Sequence, residues 1–157
     1  MSNGRYAERT LVSPQKTRAD IENLLERYGA DGFAYAAEGD CALVAFRLKG
    51  RAIRFILPLP RLNDFAKTPS GATRTARQQE SAHDQAVRTA WRALHLITKA
   101  KLEAVAAGIT TLEREFLPDM VMPNGQTFGQ FALPAVQRAL ESGEMPSMAR
   151  ALGTGKE

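Results

Sequence analysis

The chain has 157 residues, 44% of them apolar and 24% charged, with a formal charge of +4, a balance that excludes a disordered or collagen-like chain and predicts one core, hence a single domain over 1–157. Its one cysteine, Cys41, excludes an internal disulfide and fits a reducing, cytoplasmic compartment. No segment approaches the roughly 18 apolar residues needed to cross a bilayer, and MSNGRYAERT lacks a basic start followed by an apolar run, so neither membrane spanning nor export is expected.

The first predicted element is a helix over 17–28. Ile21, Leu24, Leu25 and Tyr28 recur at i, i+3, i+4 and i+7, Thr17 can cap its start and Gly29 its end. From Gly32 to Leu57 the period changes. Gly39-Asp40 and Lys49-Gly50 divide three short apolar runs, predicting strands at 32–37, 41–48 and 51–57 in an antiparallel meander. Two-residue turns set Leu48 opposite Arg51, Phe46 opposite Ile53, Val44 opposite Phe55, Tyr35 opposite Val44 and Phe33 opposite Phe46. One face then carries Phe33, Tyr35, Val44, Phe46, Ile53, Phe55 and Leu57, and a slip of one residue would scatter it. The other face carries small residues with Leu43, Arg47, Arg54 and Ile56.

Residues 58–78, rich in Pro, Thr, Ser and Gly, read as a long basic loop. A long helix follows over 79–107, with Val87, Trp91, Leu94, Ile97, Leu102 and Val105 as its buried stripe. Thr110 and Glu113 form a capping box for a short helix that closes before Pro118. Met120–Met122 is a candidate fourth strand. Thr127 and Gln130 cap a last helix that Pro134 is expected to break or restart, and 144–157 is expected to fray. The predicted fold is therefore α+β, a three-stranded or four-stranded antiparallel meander with helices 17–28 and 79–107 on its apolar face.

Charge is segregated along the chain. Between Leu43 and Lys101 there are twelve basic side chains against three acidic ones, while the flanks hold nine basic and fourteen acidic. A basic middle suits a polyanion. If the loop drapes over the sheet, Arg47, Arg54, Arg61, Lys67, Arg74, Arg77, Arg88 and Arg92 would line a groove for phosphates. The alternative is that these charges only solvate the surface. The aromatic residues lie on the core face, so no base-stacking platform is expected.

Signals for catalysis are weak. His83 and His95 are twelve residues apart on the long helix, about 18 Å of rise, too far to share an ion. Cys41 has no histidine nearby in sequence to activate it. Glu113, Glu115 and Asp119 are the densest carboxylates and could suit a magnesium-dependent nuclease, but residues two apart on a helix point different ways. No phosphate-cradling glycine loop is present. No cofactor, no metal site and no catalytic residue is predicted.

The segments RYAERT (5–10), RYGADGFAY (27–35), VAFRLKGRAIRFILPLP (44–60), WRALHLITKAKLEAVAAGITTLEREFL (91–117) and MPNGQTFGQ (122–130) carry a resemblance across most of the chain. They look like those of small uncharacterised proteins of tailed phages and prophages. The resemblance implies a phage origin and a place in the cytoplasm of a host bacterium; it carries over no site residue. The meander leading into a long helix also resembles the core of phage single-strand annealing proteins.

Three functions follow as expectations. The first is a non-enzymatic phage accessory protein that binds nucleic acid, DNA before RNA, single-stranded or without sequence preference, through the eight basic residues above. The second is a protein-interaction module that inhibits a host or phage protein, such as a defence factor. The third is a metal-dependent nuclease.

Overall fold

A computed structural model describes residues 3–38 and 40–146, with side chains from Pro14 onward. The fold is α+β. Helix α1 spans Asn3–Arg27, strands β1 (Asp31–Glu38), β2 (Cys41–Leu48) and β3 (Arg51–Pro58) form an antiparallel sheet in the order β1-β2-β3, and a 3-10 turn covers Leu62–Phe65. Helix α2 (Ala76–Ala106), the short α3 (Leu112–Phe116), a second 3-10 turn (Leu117–Asp119) and α4 (Phe128–Ser142) complete it.

The sheet register follows the turns. Leu48 pairs with Arg51, Phe46 with Ile53, Val44 with Phe55, and Tyr35 with Val44. Lys49 at φ 48° and Gly50 at φ 75° make the tight turn whose twist matches that of the strands. One expectation fails. Phe33 is not the strand partner of Phe46, because Asp31 pairs with Arg47 and Ala34 with Ala45, which leaves one extra residue in β1. Gly32 absorbs it at φ 64°, and the Phe33 and Phe46 rings still stack at 6.3 Å.

Val44, Phe46, Ile53 and Phe55 are buried on the face that meets α1 (Ile21, Leu24, Leu25) and α2 (Trp91, Leu94, Leu102). Aromatic rings run through this core from Phe46 to Phe55 at 5.5 Å and on to Phe116 at 6.2 Å. Burying such side chains contributes about 1.5–3 kcal/mol each and fixes which face of the sheet turns inward.

Element ends differ from the sequence reading where local chemistry competes. α1 begins upstream of Thr17 and contains Pro14, so Thr17 is an internal helix residue and not a cap. α2 starts at Ala76, inside the stretch read as loop, because Thr75 accepts a hydrogen bond from the Gln78 amide while the Gln78 side chain accepts from the Thr75 amide at 2.9 Å. Thr111, not Thr110, caps α3. Glu113 instead reaches Arg51. The capping box of Thr127 and Gln130 forms as expected. Pro134 neither breaks nor restarts α4, which runs through it to the left-handed Gly143; the ring sits on the exposed side, where the carbonyl it leaves unbonded can face water. Met120 bridges to Ile53 and Val121 to Thr127 as isolated pairs, a stub of a fourth strand. Of the tail read as frayed, Glu144–Pro146 carries no helix or strand and 147–157 lies outside the described residues.

Candidate interaction surfaces

The eight basic residues proposed from the sequence fall on different sides of the sheet. Arg47 and Arg54 project from the face opposite α1 and α2, and both are engaged. Arg47 Nε donates to Asp31 at 3.0 Å, while Arg54 Nη2 donates to the Gly125 carbonyl at 2.9 Å and the Gln130 side-chain oxygen at 3.2 Å. Arg61 Nε donates to Asp40 at 2.6 Å. Arg74 does not reach outward either, because its Nη1 donates to the carbonyls of Phe65 and Lys67 at 3.2 and 2.9 Å and so ties the loop to itself. The guanidinium and ammonium groups thus satisfy local acceptors that a folded loop must satisfy somewhere. Lys67 and Arg77 are exposed near the start of α2.

Arg88 and Arg92 are the pair the fold does bring together. One helical turn apart on α2, they line a polar recess of about 210 Å³ with Thr17, Gln85 and Thr89. Arg88 donates to Gln85 at 2.8 Å. Two like charges at this spacing repel, so an anion between them is favoured.

The residues weighed for catalysis are spread out. His83 lies 3.0 Å from the Pro60 carbonyl oxygen, against the Phe65 ring. Cys41 Sγ donates to the Glu38 carbonyl at 3.1 Å. Among the described residues no group of three His, Cys, Asp or Glu side chains could hold a metal ion. No helix among them is long and apolar enough to cross a membrane.

Apolar surface was the feature the sequence reading missed. Ile97, assigned to the buried stripe of α2, is 52% exposed, and Thr98 occupies the interior instead, its hydroxyl donating to the Leu94 carbonyl at 2.7 Å. That internal bond is what lets a threonine replace an aliphatic residue in the core. Ile97 stands beside a groove of about 300 Å³ between β3 and α2, walled by Phe55, Ile56, Leu57, Ala90, Ala93 and Leu94, while the exposed Leu96 lies on a different face of α2. Lys101 and Asp119 close one end, 3.8 Å apart. Burial raises the Asp119 carboxyl above its ordinary value of 3.8, with the nearby Lys101 opposing the shift.

A second apolar face lies on α4. Leu133 and Leu140 are 62% and 81% exposed, with Val136 between them. The helix is fixed at its start, where Gly129 lies so near the Pro118 carbonyl oxygen that a Cβ there would sit 2.9 Å from it. Adjacent apolar residues at 96 and 97 were the available signal, since one helix face cannot bury both together with Leu94 and Leu102.

No known family model, curated protein or solved structure matches the chain.

Proposed function

We propose that the chain is a non-enzymatic interaction module that binds another protein through apolar surface left uncovered by its own fold, within the phage or host setting that the sequence resemblance implies. The observation that carries this is the groove between β3 and α2, bordered by the exposed Ile97 and Ile56. Apolar side chains gathered at one place on a small domain are costly in water unless a partner removes them from it. Most of the basic residues that would serve a polyanion already hold internal acceptors.

Retrieval from nuclease-treated host lysate tests the reading. A stoichiometric protein partner should be retained by the wild-type chain and lost with Ile97→Asp. Retention of nothing but nucleic acid would overturn it.

A second reading, nucleic-acid binding, is favoured by the recess of Arg88 and Arg92. Its test is the salt dependence of DNA affinity in Arg77→Glu, Arg88→Glu and Arg92→Glu, since each lost phosphate contact reduces the salt slope by about 1. Arg47, Arg54 and Arg74 are unsuited to this test because reversing them breaks contacts of the fold.

A further inference from the structure

We infer that the groove between β3 and α2 takes an extended segment of a partner protein as an added β-strand, an inference that rests on the interaction-module reading and specifies its mode. Strand pairing alternates, so in β3 the backbone groups of Arg51, Ile53, Phe55 and Leu57 turn toward β2 and those of Ala52, Arg54 and Ile56 turn outward. The first outward position is already used in this way, since the Val121 amide donates to the Ala52 carbonyl at 2.8 Å and Met120 bridges to Ile53. The stub then leaves the edge. Beyond it no backbone group among the described residues bonds to Ile56 from the outer side. An amide and a carbonyl displayed together on a strand edge call for extended backbone, because only that supplies the matching acceptor and donor side by side.

The groove defines the side chains of such a strand. A residue placed opposite Ile56 points to the far face of the sheet, and its two neighbours point toward α2. There Ala90 and Ala93 are small and leave the groove open. Lys101 and Asp119 balance each other at its end, so the inward residues are neutral and apolar, two positions apart. A second copy of the chain fits less well. Pairing β3 with its mate about Ile56 would set Leu59 and Pro60 of one copy where Met120 and Val121 of the other already lie.

A random heptapeptide library displayed on phage and selected against the intact chain is the test. Enriched peptides should carry apolar residues at i and i+2 with no proline between them, and binding should shift the Ile56 amide resonance. N-methylation of the backbone amide between the two apolar residues should weaken a selected peptide by about tenfold or more. Ile56→Pro should do the same while leaving the β2–β3 ladder whole, and Ala93→Trp should block the groove. The methylated peptide keeps the test valid if the proline variant fails to fold. Peptides without the alternation, or insensitive to methylation yet lost with Ile97→Asp, would overturn strand addition and leave the interaction module standing. No enrichment would overturn strand addition outright. A concentration-dependent dimer abolished by Ile56→Pro would overturn it in favour of a second copy.

Discussion

Lys101 holds its ammonium 3.8 Å from the Asp119 carboxylate and donates a 2.7 Å hydrogen bond to the Glu115 carbonyl, so one cation ties α2 to the segment that leads into the strand stub. The Asp119 side chain is 28% exposed, and burial outweighs the pull of Lys101, raising the carboxyl above its ordinary value. A raised carboxyl favours the folded state below the unfolded value of 3.8 and loses that advantage as pH rises through the folded value. Asp119→Asn should therefore raise the melting temperature at neutral pH by on the order of 2 °C, a gain that shrinks toward zero as pH falls to the unfolded value. Thermal melts across that range check it; a loss at neutral pH that vanishes as pH falls would show Lys101 dominating instead.

Tyr35 gives a second, alkaline signature. Burial, reinforced by Glu22 at 3.4 Å, pushes its phenol up to about 12 from 10.0, while Arg18 opposes. A phenol raised in the folded state leaves stability intact below 10.0 and withdraws it as pH climbs to about 12. Tyr35→Phe should cost about 1 kcal/mol at neutral pH, from the lost bonds to Arg18 and Glu22, and should flatten the alkaline decline. Phenolate absorbance should show a late-titrating group that is absent from the variant.

Gly129→Ala should destabilise α4 although alanine is the better helix former by about 1 kcal/mol. The added carbon would meet the Pro118 carbonyl oxygen at 2.9 Å, a backbone atom that cannot swing aside. Faster amide exchange confined to 128–142, with the sheet unaffected, is the expected result. Uniform protection would show that α4 is held by contacts other than this one.

Lys49→Asn should stabilise the chain by up to about 1 kcal/mol. Lys49 sits at φ 48°, a conformation asparagine adopts more readily, and its backbone neighbours on both sides are strand residues or glycine. Chemical denaturation with an unchanged slope and a higher midpoint checks this.

The sheet register was legible because strand periodicity and turn length are local and had to agree. Two turns independently directed Val44, Phe46, Ile53 and Phe55 to one face, and that face is buried. The bulge at Gly32 was not legible, since a glycine near a strand end is equally an ordinary boundary. The start of α3 was misplaced because two cap candidates stood side by side. Thr110 and Thr111 have the same chemistry, and only burial of Leu112 and Phe116 against the core selects between them.

The charged and apolar surfaces divide in the same way. Sequence alone determined that the middle of the chain is basic and that an α+β meander would form, because side-chain identity and short-range pattern are sufficient for both. Where those cations point was decided by partners distant in the chain, such as Gly125 for Arg54 and Asp40 for Arg61, which linear charge counting does not contain. Only the tertiary structure placed Ile97 outside and Thr98 inside, since a helix carrying apolar residues on adjacent faces buries whichever face the sheet and α1 leave room for.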